Sequence, residues 1–550
     1  MSGYYDLGPH TRTITTSSDE AQRWFNRGLN WTFAFNHEEA IRCFERALEH
    51  DPGCAMARWG IAYAVGPNYN KAWEAFDEAD LRTSLARAYE ESVRAADTLG
   101  DATPEERALV TALLARYPSP QPLEDCSPWN DSYADAMRDV YRLFGDDLDI
   151  AALFAEALMN RTPWQLWDLN TGLPEDGADT LEAQEVLERA LESPAARTHP
   201  AVLHMYIHLM EMSPFPEKAL RACDWLRGLV PDAGHLQHMP THIDVLCGHY
   251  HNVVTWNDEA ITANRKYLAS EGALNFYSTY RAHDYHFKLY GAMFLGQYEP
   301  AIEAADELIE TTPAELLRIE SPPMADWLEA FVPMNMHVYI RFGKWQEIID
   351  TSLPEDRELF CVTTAMVHYA KGVAFAATGR IDEAEEQKAL FDAAVARVPD
   401  TRYLFNNTAL DILAIAREML YGELEYRKGN HDAAFAHLRR SIELDDGLPY
   451  DEPWGWMQPT RHAYGALLLE QDHVEQAEAV YRADLGLDDK LGRAFQHPEN
   501  VWSLHGYHEC LTRLGKHDLA AMIKQRLDLA AARADVPIHA SCFCRLSAAA

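Results

Sequence analysis

Apolar residues recur along this chain at the three- and four-residue spacing of helices, interrupted by short turn phrases. Segments such as Ala409–Arg427 and Ala463–Leu469 carry that spacing, and no sustained alternating segment is flanked by hairpin turns. The predicted elements are therefore helices throughout. The turn phrases share a form: Gly296-Gln-Tyr-Glu-Pro-Ala301, Gly379-Arg-Ile-Asp-Glu-Ala384 and Gly429-Asn-His-Asp-Ala-Ala434. A small residue turns the chain, and an alanine then opens a second helix packed closely on the first.

Near the N-terminus the pattern is complete. Trp24, Gly28, Ala40, Phe44, Ala47 and Pro52 occupy the spacing of the tetratricopeptide (TPR) signature, two antiparallel helices in about 34 residues. Gly28 and Ala40 let the helices approach, Phe44 fills the groove, and Pro52 ends the second helix. Partial copies follow at Ala219 and Pro231, at Gly248 and Ala260, and at Gly296, Ala301 and Pro313. Others carry Gly372, Gly379 and Ala384; Gly422, Gly429 and Ala434; Gly465, Ala477 and Tyr481; and Gly515 with Ala520. The expected fold is all-α, a TPR-like α-solenoid of stacked hairpins in a closed or strongly curved superhelix. We divide it into N-terminal repeats (1–120), a central histidine-rich block (121–340) and C-terminal repeats (341–550). Proline-, acid- or tryptophan-rich insertions at Tyr117–Asp131, Leu166–Asp179, Ile319–Met324 and Leu448–Thr460 are natural carriers of function on such a scaffold.

Composition narrows the functional classes. Eighty-six acidic against 48 basic residues give a formal charge of −38, a field that repels nucleic-acid backbones and anionic lipid. No run reaches the roughly 18 apolar residues of a membrane span, and Met1–Asp19 lacks the apolar core of a secretory signal. The nine cysteines are scattered rather than arranged as a disulfide framework, which points to a reduced, cytoplasmic protein. Cys542 and Cys544, with His539 nearby, form a C-x-C that could hold a soft metal but lacks the second pair of a zinc site.

Chemistry is suggested by the histidines. Ten of the 24 fall between His199 and His286. His204, His208 and Glu211 share one helical face, two imidazoles and a carboxylate at metal-binding spacing. His235, His238 and His242 follow at i, i+3 and i+7, with Pro240 predicting that a helix begins near Met239 and leaves the first two on a loop. His283 and His286 lie on the first helix of the next repeat. Each imidazole alone reads more readily as a core residue bonded to a carbonyl; burying the whole set without a ligand would cost solvation at every unsatisfied nitrogen. His249 and His251 are expected at an exposed turn, and His199 at a structural helix start.

Glu156 and Asn160 lie on an otherwise apolar helix, where a carboxylate needs a partner. Glu156 and Glu211 are the candidate catalytic carboxylates, and Trp164 and Trp167 candidate cavity walls. The loop Gly66-Pro-Asn-Tyr-Asn70 and a C-terminal group of His497, Trp502, His505 and His508 are weaker candidates. Phosphate-loop, dinucleotide, H-E-x-x-H and G-x-S-x-G signatures are absent.

The run Gly234-His-Leu-Gln-His-Met-Pro-Thr-His-Ile243, with His204-x-x-x-His208-x-x-Glu211 before it, resembles the centre of the tetratricopeptide repeat protein thirty-eight-like family. Tyr450-Asp-Glu-Pro, His497-Pro-Glu-Asn-Val-Trp and Ser541-Cys-Phe-Cys-Arg resemble that family's tail phrases. The resemblance covers most of the chain and implies an α-helical TPR solenoid; it implies no reaction.

Two functions from different classes follow. One is an enzyme whose divalent transition metal (Fe, Cu or Zn), singly or as a dinuclear pair, is held by His204, His208, His235, His238, His242, His283 and His286. It would act on a small-molecule substrate, with redox or oxygenase-type chemistry preferred over hydrolysis because imidazoles outnumber carboxylates. The other is a TPR adaptor taking a protein or peptide in its concave groove. Neither nucleic acid nor membrane is an expected partner, and homo-oligomerisation stays open.

Overall fold

The computed structural model describes residues 3–546, whose regular secondary structure is almost wholly helical. The chain forms two compact units. The first comprises residues up to Ile243 with Glu259–Gly272; the second comprises Asp244–Asp258 with Ala273 onward. The boundary runs through the central block 121–340 expected from sequence, so His283 and His286 belong to a different unit from the other five histidines.

In the first unit the helices are α1 (Asp19–Phe33), α2 (His37–His50), α3 (Ala55–Val65), α4 (Glu78–Asp97), α5 (Pro104–Arg116), α6 (Ser127–Phe144), α7 (Leu148–Met159), α8 (Thr180–Leu191), α9 (Pro200–Glu211), α10 (Leu220–Leu226) and α11 (Gly234–His238), and α12 (Pro240–Leu246) begins in it before the boundary at Ile243. Successive helices pack as hairpins, α1 on α2, α2 on α3 and α3 on α4. Their starts are fixed locally. Ser18 caps α1, Asn36 caps α2, and Thr103 with Glu106 forms a capping box on α5. The signature residues perform the predicted work: Phe44 is fully buried, and a Cβ added at either Gly28 or Gly60 would lie 2.6 Å from its ring. One aromatic ring is thus clamped between two glycine faces, which sets the spacing of three helices at once.

The second unit repeats the device. Helices Ser278–Leu295 and Tyr298–Glu310, Cys361–Ala377 and Ile381–Val395, Ala409–Arg427 and His431–Asp446, Thr460–Glu470 and Val474–Asp484, and Val501–Arg513 and His517–Ala531 form hairpins. Tyr481 sits between Gly465 and Gly506 as Phe44 sits between its glycines. The turn glycines Gly296, Gly379, Gly429 and Gly515 all have positive φ, and the next amide closes the helix end, for example Gln297 N–H to the Ala292 carbonyl at 2.9 Å. A two-residue antiparallel pair, Tyr403–Leu404 with Asn407–Thr408, is the one strand pairing among the described residues, and the helical spacing gave no hint of it.

No helix among the described residues is long and apolar enough to cross a membrane. The expectation that every cysteine is reduced needs correction: Cys542 and Cys544 are joined as a disulfide, so they do not offer two thiolates to a soft metal. Sequence spacing does not reveal this, because the bond depends on the local backbone, which brings the two Cα atoms to 5.2 Å.

Candidate metal centre

α9 begins at His199, whose Nδ1 accepts the Val202 amide while Pro200 takes the first helical position. The helix is buried along its whole length, so His204, His208 and Glu211 point into protein. Pro240 likewise opens α12, as expected. The preceding residues, however, form the short helix α11 rather than a loop, and this carries His235 and His238. Between Gly234 and the neighbouring Asn264 there is no room for a Cβ, which seats α11 tightly in the first unit.

All five imidazoles are at most 1% exposed. His204 Nδ1 lies 2.8 Å from the Phe33 carbonyl at the end of α1; an oxygen of that kind only accepts, so Nδ1 carries the proton and Nε2 the lone pair. Glu211 bridges two rings, with Oε1 3.0 Å from His208 Nδ1 and Oε2 2.7 Å from His242 Nδ1. By the same logic the Nε2 atoms of His208 and His242 are left as lone pairs. His235 Nε2 is 3.1 Å from His204 Nε2, and His238 Nε2 is 2.7 Å from His242 Nε2. His208 Nε2 is buried with no hydrogen-bond partner.

Three sets of donor atoms gather within the first unit, each within 4.8 Å: His204, His208 and His235; His208, Glu211 and His242; and His10, Asp149 and His199. Two ligands of one tetrahedral ion with bonds near 2.0–2.1 Å stand roughly 3.3 Å apart. The Glu211 contacts are shorter and are hydrogen bonds. This is the arrangement in which a carboxylate behind an imidazole fixes its tautomer and aims its far nitrogen at a metal. Burial, reinforced by the neighbouring His238, lowers His204 to a pKa of about 3 even though the Phe33 carbonyl acts the other way. Burial, then His204 and His238, holds His208 well below the usual imidazole range. Both rings are neutral near pH 7, the form that binds metal.

An aromatic wall borders the nest. Phe35 lies nearly parallel to His208 and His235, with ring centroids 6.0 and 5.5 Å away, and 4.6 Å from His204. Tyr69 is 4.9 Å from His208, and Trp164 meets that ring edge-on at 5.7 Å. Trp164 and the loop of Tyr69 were legible as candidates; Phe35 was not.

Glu156 lies elsewhere. Its carboxylate accepts the Tyr63 hydroxyl at 2.5 Å and the Tyr69 backbone amide, and burial raises its pKa. It belongs to none of the donor groups gathered among the described residues. Arg116 donates to the Pro67 carbonyl at 2.6 Å, so these two charged groups together secure the loop that delivers Tyr69. Trp167 donates to the Leu209 carbonyl on α9.

A second polar group of the first unit escaped the sequence reading. Asp149 holds His10 at 3.0 Å, His199 at 3.1 Å and Arg12 at 2.8 Å, beside a cleft of about 1150 Å³. Burial alone would raise the Asp149 carboxyl; hydrogen bonds from the two imidazoles outweigh it and hold the group well below the usual range. The His199 ring, with Nδ1 accepting and Nε2 donating, is fully used structurally, as expected.

In the second unit, His283 and His286 flank Phe405, with ring centroids 4.5 and 6.4 Å away, and Phe331 is 5.1 Å from His286. His286 is fully buried, and neither of its nitrogens has a hydrogen-bond partner. His249 and His251 are exposed, as expected. In the C-terminal group, His497 bonds Asp484 and Trp502 donates to the Met293 carbonyl; neither contributes to a ligand cluster with His505 or His508 among the described residues.

Comparison with known proteins adds little beyond the repeat. No curated protein matches the chain. Yeast Tom70 aligns over 90% of this chain and 96% of its own at 12% identity, TM-score 0.26. The human IFIT1 dimer with m7Gppp-AAAA aligns over 94% and 92% at 10% identity, TM-score 0.29. The APC/C hetero-tetramer Cut9–Hcn1 aligns over 94% and 88% at 14% identity, TM-score 0.28. Likenesses this low carry no argument about function. Residues 21–54, the α1–α2 hairpin with its cap and following turn, match the tetratricopeptide repeat family: the chain carries a tetratricopeptide repeat there.

Proposed function

We propose that this protein is a metalloprotein on a TPR-type scaffold, its histidine nest holding one transition-metal ion (Fe, Cu or Zn) for chemistry on a small molecule. The observation that supports this most is the Glu211 bridge, which turns the Nε2 lone pairs of His208 and His242 away from the carboxylate and inward. In this reading Glu211 acts through the imidazoles, and Glu156 through the Tyr69 loop. When bound, the ion supplies Lewis-acid or redox chemistry. Redox chemistry is favoured over hydrolysis because a single carboxylate serves five imidazoles. The test is elemental analysis of full-length protein purified without chelators, followed by metal titration. About one ion per chain is expected, with Glu211→Gln lowering affinity about 10–100-fold because an amide cannot accept from both rings. A chain free of Fe, Cu, Zn and Mn that also takes up none on titration would overturn the reading.

A second reading, a TPR adaptor for a protein or peptide, is favoured by the repeat at residues 21–54. It requires no metal. Normal folding and undiminished partner binding after loss of the nest histidines would favour it.

A further inference from the structure

Among the described residues, five that are not glycine have φ in the left-handed region: Phe35, Trp164, Phe405, Asp472 and Glu499. Bulky side chains rarely adopt it, and where they do the surroundings must enforce it. Three of the five are aromatic, and all three lie against histidines of the candidate ligand set. Phe35 faces His204, His208 and His235; Trp164 faces His208; Phe405 faces His283 and His286.

Phe35 occupies a defined place in the repeat. It is the left-handed residue that ends α1, and the next amide, Asn36 N–H, bonds the Trp31 carbonyl at 3.0 Å. The same closure follows Gly296, Gly379, Gly429 and Gly515, where the amide of the next residue bonds a carbonyl five residues back at 2.8–2.9 Å. At those turns glycine takes the left-handed conformation without strain. At the turn beside the histidine nest the chain carries phenylalanine, 4% exposed, with its ring on three imidazoles. Trp164 has no repeat turn to justify its φ of 61°; its amide is tied to the Tyr69 hydroxyl at 3.3 Å, and the Tyr69 and Trp164 rings lie 5.2 Å apart.

We infer that Phe35 and Trp164 are the access residues of the histidine nest: two strained aromatic shutters that exclude water from the imidazoles and control exchange of the ion held there. The inference rests on the metal reading above. A shutter of this kind favours an ion that sheds its hydration shell for nitrogen donors over hard, strongly hydrated magnesium or calcium. Because the left-handed backbone already suits glycine, removing either ring relaxes the backbone while opening the wall.

The test uses the full chain loaded with Co²⁺, whose visible absorption reports nitrogen coordination, and follows its transfer to excess EDTA. Phe35→Gly and Trp164→Gly are expected to bind the same number of ions as wild type and to release them about tenfold faster or more. Trp164 is only partly buried, so its variant serves should Phe35→Gly fold poorly. Asp472→Gly makes the same backbone change at a repeat turn where the side chain bonds Arg513 at 2.5 Å, and its release rate is expected to stay at the wild-type value. Wild-type release rates from loaded Phe35→Gly and Trp164→Gly overturn the inference, as does equal acceleration by Asp472→Gly. A wild-type chain that binds no Co²⁺ fails at the loading step, before any variant is compared, and removes the metal reading together with its gate.

Discussion

At Phe35 two effects oppose each other. The left-handed backbone costs a non-glycine residue about 1–2 kcal/mol, while burying the ring on three imidazoles returns more than that through packing. The usual order of truncations should therefore invert. Glycine normally destabilises relative to alanine through chain entropy. Here Phe35→Ala keeps the backbone cost and loses the ring, whereas Phe35→Gly loses the ring and the cost together. Urea unfolding should find the glycine variant more stable than the alanine variant by about 1 kcal/mol. The reverse order would mean that the turn is unstrained. His208 sets a related test. Its Nδ1 bond to Glu211 means that His208→Ala weakens even the metal-free fold, by about 1–3 kcal/mol, because a buried carboxylate oxygen loses a partner. If the ring is also a ligand, the penalty in metal-loaded protein must be larger than in chelated protein. Equal penalties would make His208 structural.

At the scale of elements, the hairpins were legible because a repeat states its packing in residue types. Gly28, Phe44 and Gly60 make this measurable. In an exposed helix Gly→Ala stabilises by about 1 kcal/mol. At Gly28 the new methyl would meet the Phe44 ring at 2.6 Å, so Gly28→Ala should instead lower stability by about 1–3 kcal/mol. A melting temperature at or above that of wild type would show the clamp to be loose. The helical spacing of His204, His208 and Glu211 was legible for the same reason: one turn of helix places them on one face. What sequence could not show depends on contacts between distant segments. The ring of Phe35 reaches α9 from 169 residues upstream of His204, and Asp149 gathers His10 and His199 from two other segments. Pro240 pointed correctly to the start of α12, but nothing local announced α11 before it. Phe35 did leave one trace, an aromatic residue before Asn36-His37 where the later phrase reads Gly429-Asn430-His431. The disulfide and the hairpin at Tyr403–Thr408 left none.

Acid response belongs to the whole chain, because every titrating group adds to one proton balance between folded and unfolded states. Buried carboxyls with raised pKa, such as Asp445 at about 6, where burial and then Asp446 act, add stability as pH falls. Relief of the −38 charge acts the same way. Buried neutral imidazoles act oppositely, and His337 is the simplest of them: burial alone lowers it to about 3, and its Nδ1 has no hydrogen-bond partner. Unfolding returns this ring to the ordinary value near 6.5, so between about pH 3 and pH 6.5 the unfolded chain holds one proton more at this position. Stability from this group is therefore complete above pH 6.5 and is lost as pH falls toward 3. Between about pH 4 and pH 5.5 its share of the slope is about 1.4 kcal/mol per pH unit. His337→Leu, similar in volume and with no polar atom to leave unsatisfied, should remove that share from the slope of urea stability against pH. The absolute slope of wild type depends on all groups; the difference between the two chains depends on this ring and on buried His286, whose pKa burial and then His337 lower. The variant should accordingly gain on wild type with each step toward acid. Parallel profiles would mean that His337 keeps an ordinary pKa in the folded chain, and that water reaches a ring packed 5.0 Å from Trp456.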